Sequence, residues 1–228
     1  MLTVIRDKEK ENIQKAARII YQALTDGHYL YTFGTGHGHM LAEELFYRAG
    51  GLVRVRPILL ENLMLHVNAT ASTEAERQEG LAAQILAEYP AGEGDVLIIA
   101  SNSGRNAVPV ELSMAARERK VAVIALTSLS HSHSVASRHK SGLRLFETVD
   151  IVIDNHGVPG DACIPAGENF VSPTSTVAGA AILQAIVAQV SALSDRGSVE
   201  TFVSSNVDGG DSKNAAYIRK YQGTVKSL

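Results

Sequence analysis

Apolar positions along this chain fall into two rhythms, short unbroken runs and longer stretches with helical spacing. The clearest run is Val96-Leu97-Ile98-Ile99-Ala100, which stops abruptly in Ser101-Asn102-Ser103-Gly104. A β-branched run this short, apolar on both faces, predicts a strand inside a parallel sheet. Val121–Leu126 repeats the pattern, and Val149–Asp154 gives another short strand. His28–Phe33 is aromatic-rich and strand-like, while Leu52–Arg56 alternates and stops at Pro57, as an edge strand would. Helical spacing covers Val4–Leu24, with Ile13, Ala16, Ala17, Ile20 and Leu24 in one stripe and Gly27 as its stop. Further helices are expected over Met40–Ala49, Glu74–Glu88 and Ala107–Lys120, the last with Pro109 in its first turn. Val177–Val190 is apolar nearly all round, which predicts burial on every side, in the core or between subunits. Strands and helices in this order define an α/β fold.

Three of the strands run into turns of one chemical kind. Gly34-Thr35-Gly36-His37-Gly38-His39 follows the first strand, Ser101–Gly104 the central one, and Thr127-Ser128 the next. A strand-to-helix turn gathers unpaired N–H groups, hydroxyls and the positive end of a helix dipole, so it suits an anion, phosphate above all. Each turn alone reads equally as ordinary capping. Three together favour an anion site, because open α/β sheets bind ligands outside the C-terminal ends of their strands. A dinucleotide fingerprint at Gly34 is half present: its third glycine falls at His39, and Arg54 and Arg56 end the next strand where an acid is expected.

Length and composition narrow the class. The 228 residues suit one domain over the whole chain, with an N-terminal helix over about 4–26 and a polar tail over about 194–228 that closes in a helix around Ala215–Tyr221. Basic residues number 21 against 24 acidic, with no basic arm, so no nucleic-acid partner is expected. Cys163 is the single cysteine; it cannot form an internal disulfide and is expected to be a buried small hydrophobe. No secretory leader is evident, and Val177–Val190 is too short to span a bilayer, so a soluble cytoplasmic protein with no membrane partner is expected. His131, His133 and His139 lie in a serine-rich loop, Leu129–Gly142, without a third ligand at metal spacing; neither metal nor cofactor is expected. Asn155–Pro173 is long for a connection, and such loops often carry function.

The turns, in this order, resemble those of the SIS (sugar isomerase) domain family over Tyr29–Val190. The most specific piece is ASNSGRN at 100–106, similar to the family's serine-rich phosphate loop, followed by LTS at 126–128 and GTGHG at 34–38. Gly38 stands where many members have serine. SPTSTVAGAAILQAIV at 172–187 is similar to the Thr/Ser-rich helix start of arabinose-5-phosphate isomerases. The whole chain resembles a bacterial group of SIS proteins labelled phosphoheptose isomerases.

The resemblance implies a five-stranded parallel sheet with helices on both faces, a flavodoxin-like three-layer sandwich, assembled as a homodimer or homotetramer. It implies that Ser101, Ser103 and Asn106 hold a phosphate, with Asn102 and Gly104 nearby and Thr127 and Ser128 completing the cradle. Arg105 has no strict counterpart, yet a guanidinium beside phosphate is chemically apt. Gly34, Thr35, Gly36, His37, Thr174, Ser175 and Thr176 are then expected to line the sugar. Aldose–ketose isomerisation needs a base and donors for the enediolate oxygen. The expected base is Glu61, with His66 as acid or ring-opening group and Glu44 in reserve. The stretch AEEL at 42–45 is similar to the glutamate-bearing helix of phosphoheptose isomerases, one turn closer to the glycine loop. The alternative is a non-catalytic phosphosugar sensor; a nucleotide-binding oxidoreductase rests only on the Gly34 turn.

Overall fold

A computed structural model describes residues 1–194 and 197–228; Asp195 and Arg196, at the start of the expected tail, lie outside the described residues. Five strands form one parallel sheet: β1 (Leu30–Gly34), β2 (Val55–Ile58), β3 (Val96–Ala100), β4 (Ala122–Thr127) and β5 (Ile151–Asp154). Their order is β2-β1-β3-β4-β5, so the direction of winding reverses between β1 and β3. The period of two along each strand divides the core. Val96, Ile98 and Ala100 face one apolar layer, and Leu97 and Ile99 face the other.

The first layer is covered by α2 (Lys10–Thr25), α3 (Gly38–Glu44) and α8 (Ser175–Leu193), with Ala16, Ile20, Leu41, Ile182 and Ile186 packed into it. The second is covered by α5 (Leu81–Glu88) and α6 (Ala107–Glu118), through Ile85, Leu86, Val108 and Leu112. A short α1 (Leu2–Lys8) precedes α2, and α9 (Gly210–Tyr221) packs Tyr221 against Val53, Phe202 and Val225 at the sheet edge.

Several expected elements differ in form. The helix expected over Glu74–Glu88 is two, α4 (Ala69–Ala75) and α5, broken at a polar corner that ends in Gly80 at φ +94°. α4 begins ahead of the expected helix, at Ala69, where the Asn68 side chain accepts the Ala71 N–H as an N-cap. Pro57 does not stop β2 but lies within it. That is tolerated because β2 is an edge strand. Met40–Ala49 shortens to the seven residues of α3, and the loop after β4 begins with a short helix, α7 (Leu129–His133).

The long connection after β5 contains an antiparallel hairpin, β6 (Ala162–Ala166) and β7 (Asn169–Pro173), standing clear of the core. Cys163 is on it and exposed, contrary to expectation, because the hairpin has no layer packed over it. Expected to be buried all round, α8 buries only Ala178, Gly179, Ile182, Leu183, Ile186, Val187 and Val190, while Val177 is 60% exposed. At 19 residues with mean hydropathy 1.7 it is also long and apolar enough to cross a membrane by those two measures, which the shorter range read from the sequence was not.

Candidate active site

A cleft of about 270 Å³ opens at the C-terminal ends of the strands, where the winding reverses. Its floor is Ala100 and Leu126, and its rim includes Thr35, Ser101, Asn102, Ser103, Asn106, Asn155, Ser175 and Thr176. Four acid–base side chains also line it: His37, Glu76, His131 and Asp161.

The β3–α6 turn forms one wall. Among the described residues, the N–H groups of Asn102 to Asn106 donate to no protein acceptor, and the Ser101 and Ser103 hydroxyls have no protein partner. Gly104 sits at φ +57°, which curls the turn so that successive N–H groups converge. A Cβ there would meet Ser132 Oγ at 3.1 Å and Leu145 Cβ at 3.2 Å. Asn102 Oδ1 accepts from Asn155 Nδ2 at 2.8 Å, while Asn102 Nδ2 is buried with no partner among the described residues. Asn106 Oδ1 accepts from Arg138 Nη1 at 2.9 Å, leaving the Asn106 amide nitrogen free to donate.

Thr127 and Ser128 lie beneath this turn rather than in it. Both are fully buried, and neither lines the cleft. Thr127 Oγ1 donates to Asn102 O at 3.2 Å, and Ser128 Oγ donates to Gly157 O at 2.6 Å. The Thr127 hydroxyl and the Ser128 N–H, which donates to Asn102 O at 3.0 Å, brace the turn from below.

The glycine turn forms the opposite wall. Gly34 packs so tightly on Gly38 that a Cβ would strike the Gly38 backbone, and a Cβ on Gly38 would lie 2.7 Å from Ala100 O. That contact explains the glycine at 38: a serine would push α3 off the end of β3. Thr35, His37 and Gly38 line the cleft, whereas Gly36, at φ +55°, donates its N–H to Leu63 O at 3.1 Å.

Thr35 Oγ1 donates to Glu76 Oε2 at 2.6 Å, which aims this carboxylate across the cleft. Glu76 O accepts the Val108 N–H at 3.2 Å, so the corner between α4 and α5 is tied to the first turn of α6. Asp161, at φ +71°, closes the start of α8. Its Oδ1 accepts from Thr174 N at 3.0 Å and Ser175 N at 2.8 Å, and its Oδ2 accepts from Ser175 Oγ at 2.5 Å. Thr174 is thereby committed to Asp161, and Ser175 and Thr176 reach the cleft. Burial holds the His131 imidazole below the usual histidine range, with Asp161 opposing and Arg105 reinforcing that shift. Its Nδ1 is buried with no partner among the described residues.

The acid–base groups expected from sequence stand elsewhere. Glu61 is exposed on a 3₁₀ turn after the edge strand β2, and His66 is exposed with its ring 5.9 Å from that of His39. Glu44 pairs with Arg48 and accepts from Gln184 Nε2 at 2.9 Å. None of the three lines the cleft. Sequence reasoning passed over Glu76 because it sat inside a helix read as continuous, and over Asp161 because it sat in a long loop. The polar run Arg77-Gln78-Glu79-Gly80 was the available signal for the break.

Parallel strands, a winding reversal and a turn with unpaired N–H groups at the central strand's end define an α/β protein with a polar cleft at the C-terminal edge of its sheet. The model of the SIS domain matches residues 1–128, and the chain belongs to the SIS domain family. It is 44% identical to a UPF0309 protein of Geobacillus thermodenitrificans over the whole chain and 93% of that relative, and 42% identical to one of Listeria monocytogenes over 94% of its length. In fold it is similar to phosphoheptose isomerase GmhA from Neisseria gonorrhoeae (TM-score 0.52, 20% identity, 83% of this chain and 90% of that one). It is likewise similar to a protein from Silicibacter pomeroyi assigned by name alone as a phosphosugar isomerase (TM-score 0.54, 18% identity, 86% of this chain and 48% of that one).

Proposed function

We propose that the cleft binds a sugar phosphate and interconverts its aldose and ketose forms. The observation that carries this reading is the unpaired N–H array of Asn102–Asn106, facing Glu76 and His131 across one cleft. The array, the Ser101 and Ser103 hydroxyls and the amide nitrogens of Asn102 and Asn106 hold the phosphate. Gly104 gives the turn its curl, Arg105 adds charge beside it, and Thr127 and Ser128 keep its shape. Gly34 keeps α3 close, and Thr35, the Gly36 turn, His37, Ser175 and Thr176 face the sugar hydroxyls, with Thr174 holding the helix start.

Glu76 takes the role that the resemblance gave to Glu61, because it is the lining carboxylate with an unengaged oxygen. It removes the proton from C2 of the aldose and returns it to C1. His131, whose pKa burial lowers, takes the anomeric hydroxyl proton as a base while water protonates the ring oxygen, so the sugar opens. The isomerase names of the two fold neighbours support the same reaction class. Exposed Ile164, Phe170 and Val171 on the hairpin that begins beside Asp161 support a homo-oligomer in which a second copy covers the cleft mouth.

The test is incubation in D₂O with a panel of aldose and ketose phosphates, followed by NMR of C1 and C2. Deuterium at C2 of an aldose phosphate is expected. Tight binding of a sugar phosphate with no exchange would leave a sensor in place of an isomerase.

A further inference from the structure

Three arginines stand next to residues of the cleft lining and, among the described residues, have no acidic partner. Arg105 leaves the phosphate loop and donates Nε–H to Ala136 O at 2.9 Å. The Arg138 N–H donates to Arg105 O at 2.7 Å, and Arg138 Nη1 reaches Asn106 Oδ1, a residue of the lining. Arg77 follows Glu76, also of the lining, on the corner that hydrogen-bonds to Val108 of α6. Among the described residues, no carboxylate oxygen lies within 4.0 Å of any of the three guanidiniums.

The arginines also feel one another. Partial burial, then the charges of Arg105 and Arg77, hold Arg138 below the usual arginine range, and Glu76 opposes them. Arg105 in turn acts on His131. The three charges therefore run from the His131 side of the cleft, past Asn106, to the Glu76 side. Like charges gathered this way repel unless an anion sits among them. The phosphate cradle is already supplied with N–H groups, hydroxyls and amides inside the cleft, and the arginines stand outside that lining.

Resting on the sugar-phosphate reading, we propose that the natural ligand carries a second anionic group, a carboxylate or a second phosphate, which Arg77, Arg105 and Arg138 bind at the cleft mouth. Guanidinium forks match the planar carboxylate and the phosphate face equally well.

Calorimetric titration with paired probes tests this. 6-Phosphogluconate and glucitol 6-phosphate differ only in a carboxylate for a hydroxymethyl group, and fructose 1,6-bisphosphate and fructose 6-phosphate only in the second phosphate. Tighter binding by about tenfold or more is expected for the doubly anionic member of at least one pair, and the pair that shows it identifies the second group. Arg77→Gln, at a side chain with no hydrogen bond or ion pair among the described residues, should reduce that ratio to near one, and Arg77→Lys should restore part of it. Equal affinities within both pairs, or equal losses for both members in Arg77→Gln, would overturn the second-anion proposal while leaving the phosphate cradle standing. If none of the four probes binds, the sugar-phosphate reading itself fails.

Discussion

Asn102 and Asn155 join side chain to side chain, Nδ2 of Asn155 donating to Oδ1 of Asn102 at 2.8 Å. The contact ties the turn after β3 to the end of β5, two strands away in the sheet. It leaves Asn102 Nδ2 as a buried donor with no partner among the described residues, at the wall where the phosphate is proposed to sit. Asn155 Oδ1 in turn accepts the Gly157 N–H at 2.8 Å, so the orientation of both amides is determined.

Asn155→Ala removes that orientation. The expected result is a stability loss of about 1–3 kcal/mol, the usual cost of leaving a buried polar group unsatisfied, together with roughly tenfold weaker sugar-phosphate binding. Urea denaturation and titration calorimetry read the two effects separately. Unchanged affinity would remove Asn102 from the cradle.

Gly38→Ala should destabilise the protein by about 1–3 kcal/mol through overpacking, because the added Cβ meets Ala100 O at 2.7 Å. A shift of the urea midpoint with unchanged slope is the signature. No shift would mean that α3 moves away from β3 at little cost.

Glu76→Gln keeps the shape of the side chain and its link to Thr35 but removes the base. Isomerisation should fall by about 10²–10⁴-fold, while the heat of sugar-phosphate binding persists. The same substitution at Glu61 or Glu44, both outside the cleft lining, should cost far less. If Glu61→Gln is the inactive variant, the proton-transfer role belongs to Glu61.

His131 links stability to pH. Its folded-state pKa is lowered, burial being the largest cause, so the unfolded chain takes up the proton first as pH falls. The contribution is therefore whole above the ordinary histidine value of 6.5 and is lost as pH falls through the folded value below it. The wild-type melting temperature should drop more between pH 7.5 and pH 5 than that of His131→Gln. Equal drops would show that the imidazole is as wet in the folded chain as in the unfolded one.

Phe170 is 61% exposed at the hairpin, beside Ile164 and Val171. Light scattering should give a dimer or tetramer for the wild type and a smaller species for Phe170→Asp. An unchanged mass in Phe170→Asp would place any subunit contact on another surface.

The strands and the three polar turns were legible because each is written locally. A run such as Val96–Ala100 needs only its own residues to demand two apolar layers, and Ser101–Gly104 needs only its own to end it. The α4–α5 break was less legible. Its apolar positions keep helical spacing on both sides, the polar run 77–80 is the one local mark of a break, and the corner is fixed by Gly80 at φ +94° with its N–H on Glu111 Oε2 at 2.8 Å, 31 residues away.

By itself the sequence determined the α/β class, most of its strands and helices, and the polar, glycine-containing turn after β3, since backbone propensity and burial period act over a few residues. Only the tertiary structure decided which side chains share the cleft. Glu76, His131 and Asp161 come from three separate segments and meet because the parallel sheet brings the ends of β1, β3, β4 and β5 to one edge. Glu61 follows the edge strand β2 and is left outside. The distances that create an acid–base site are set by strand order, and strand order is a property of the packed chain.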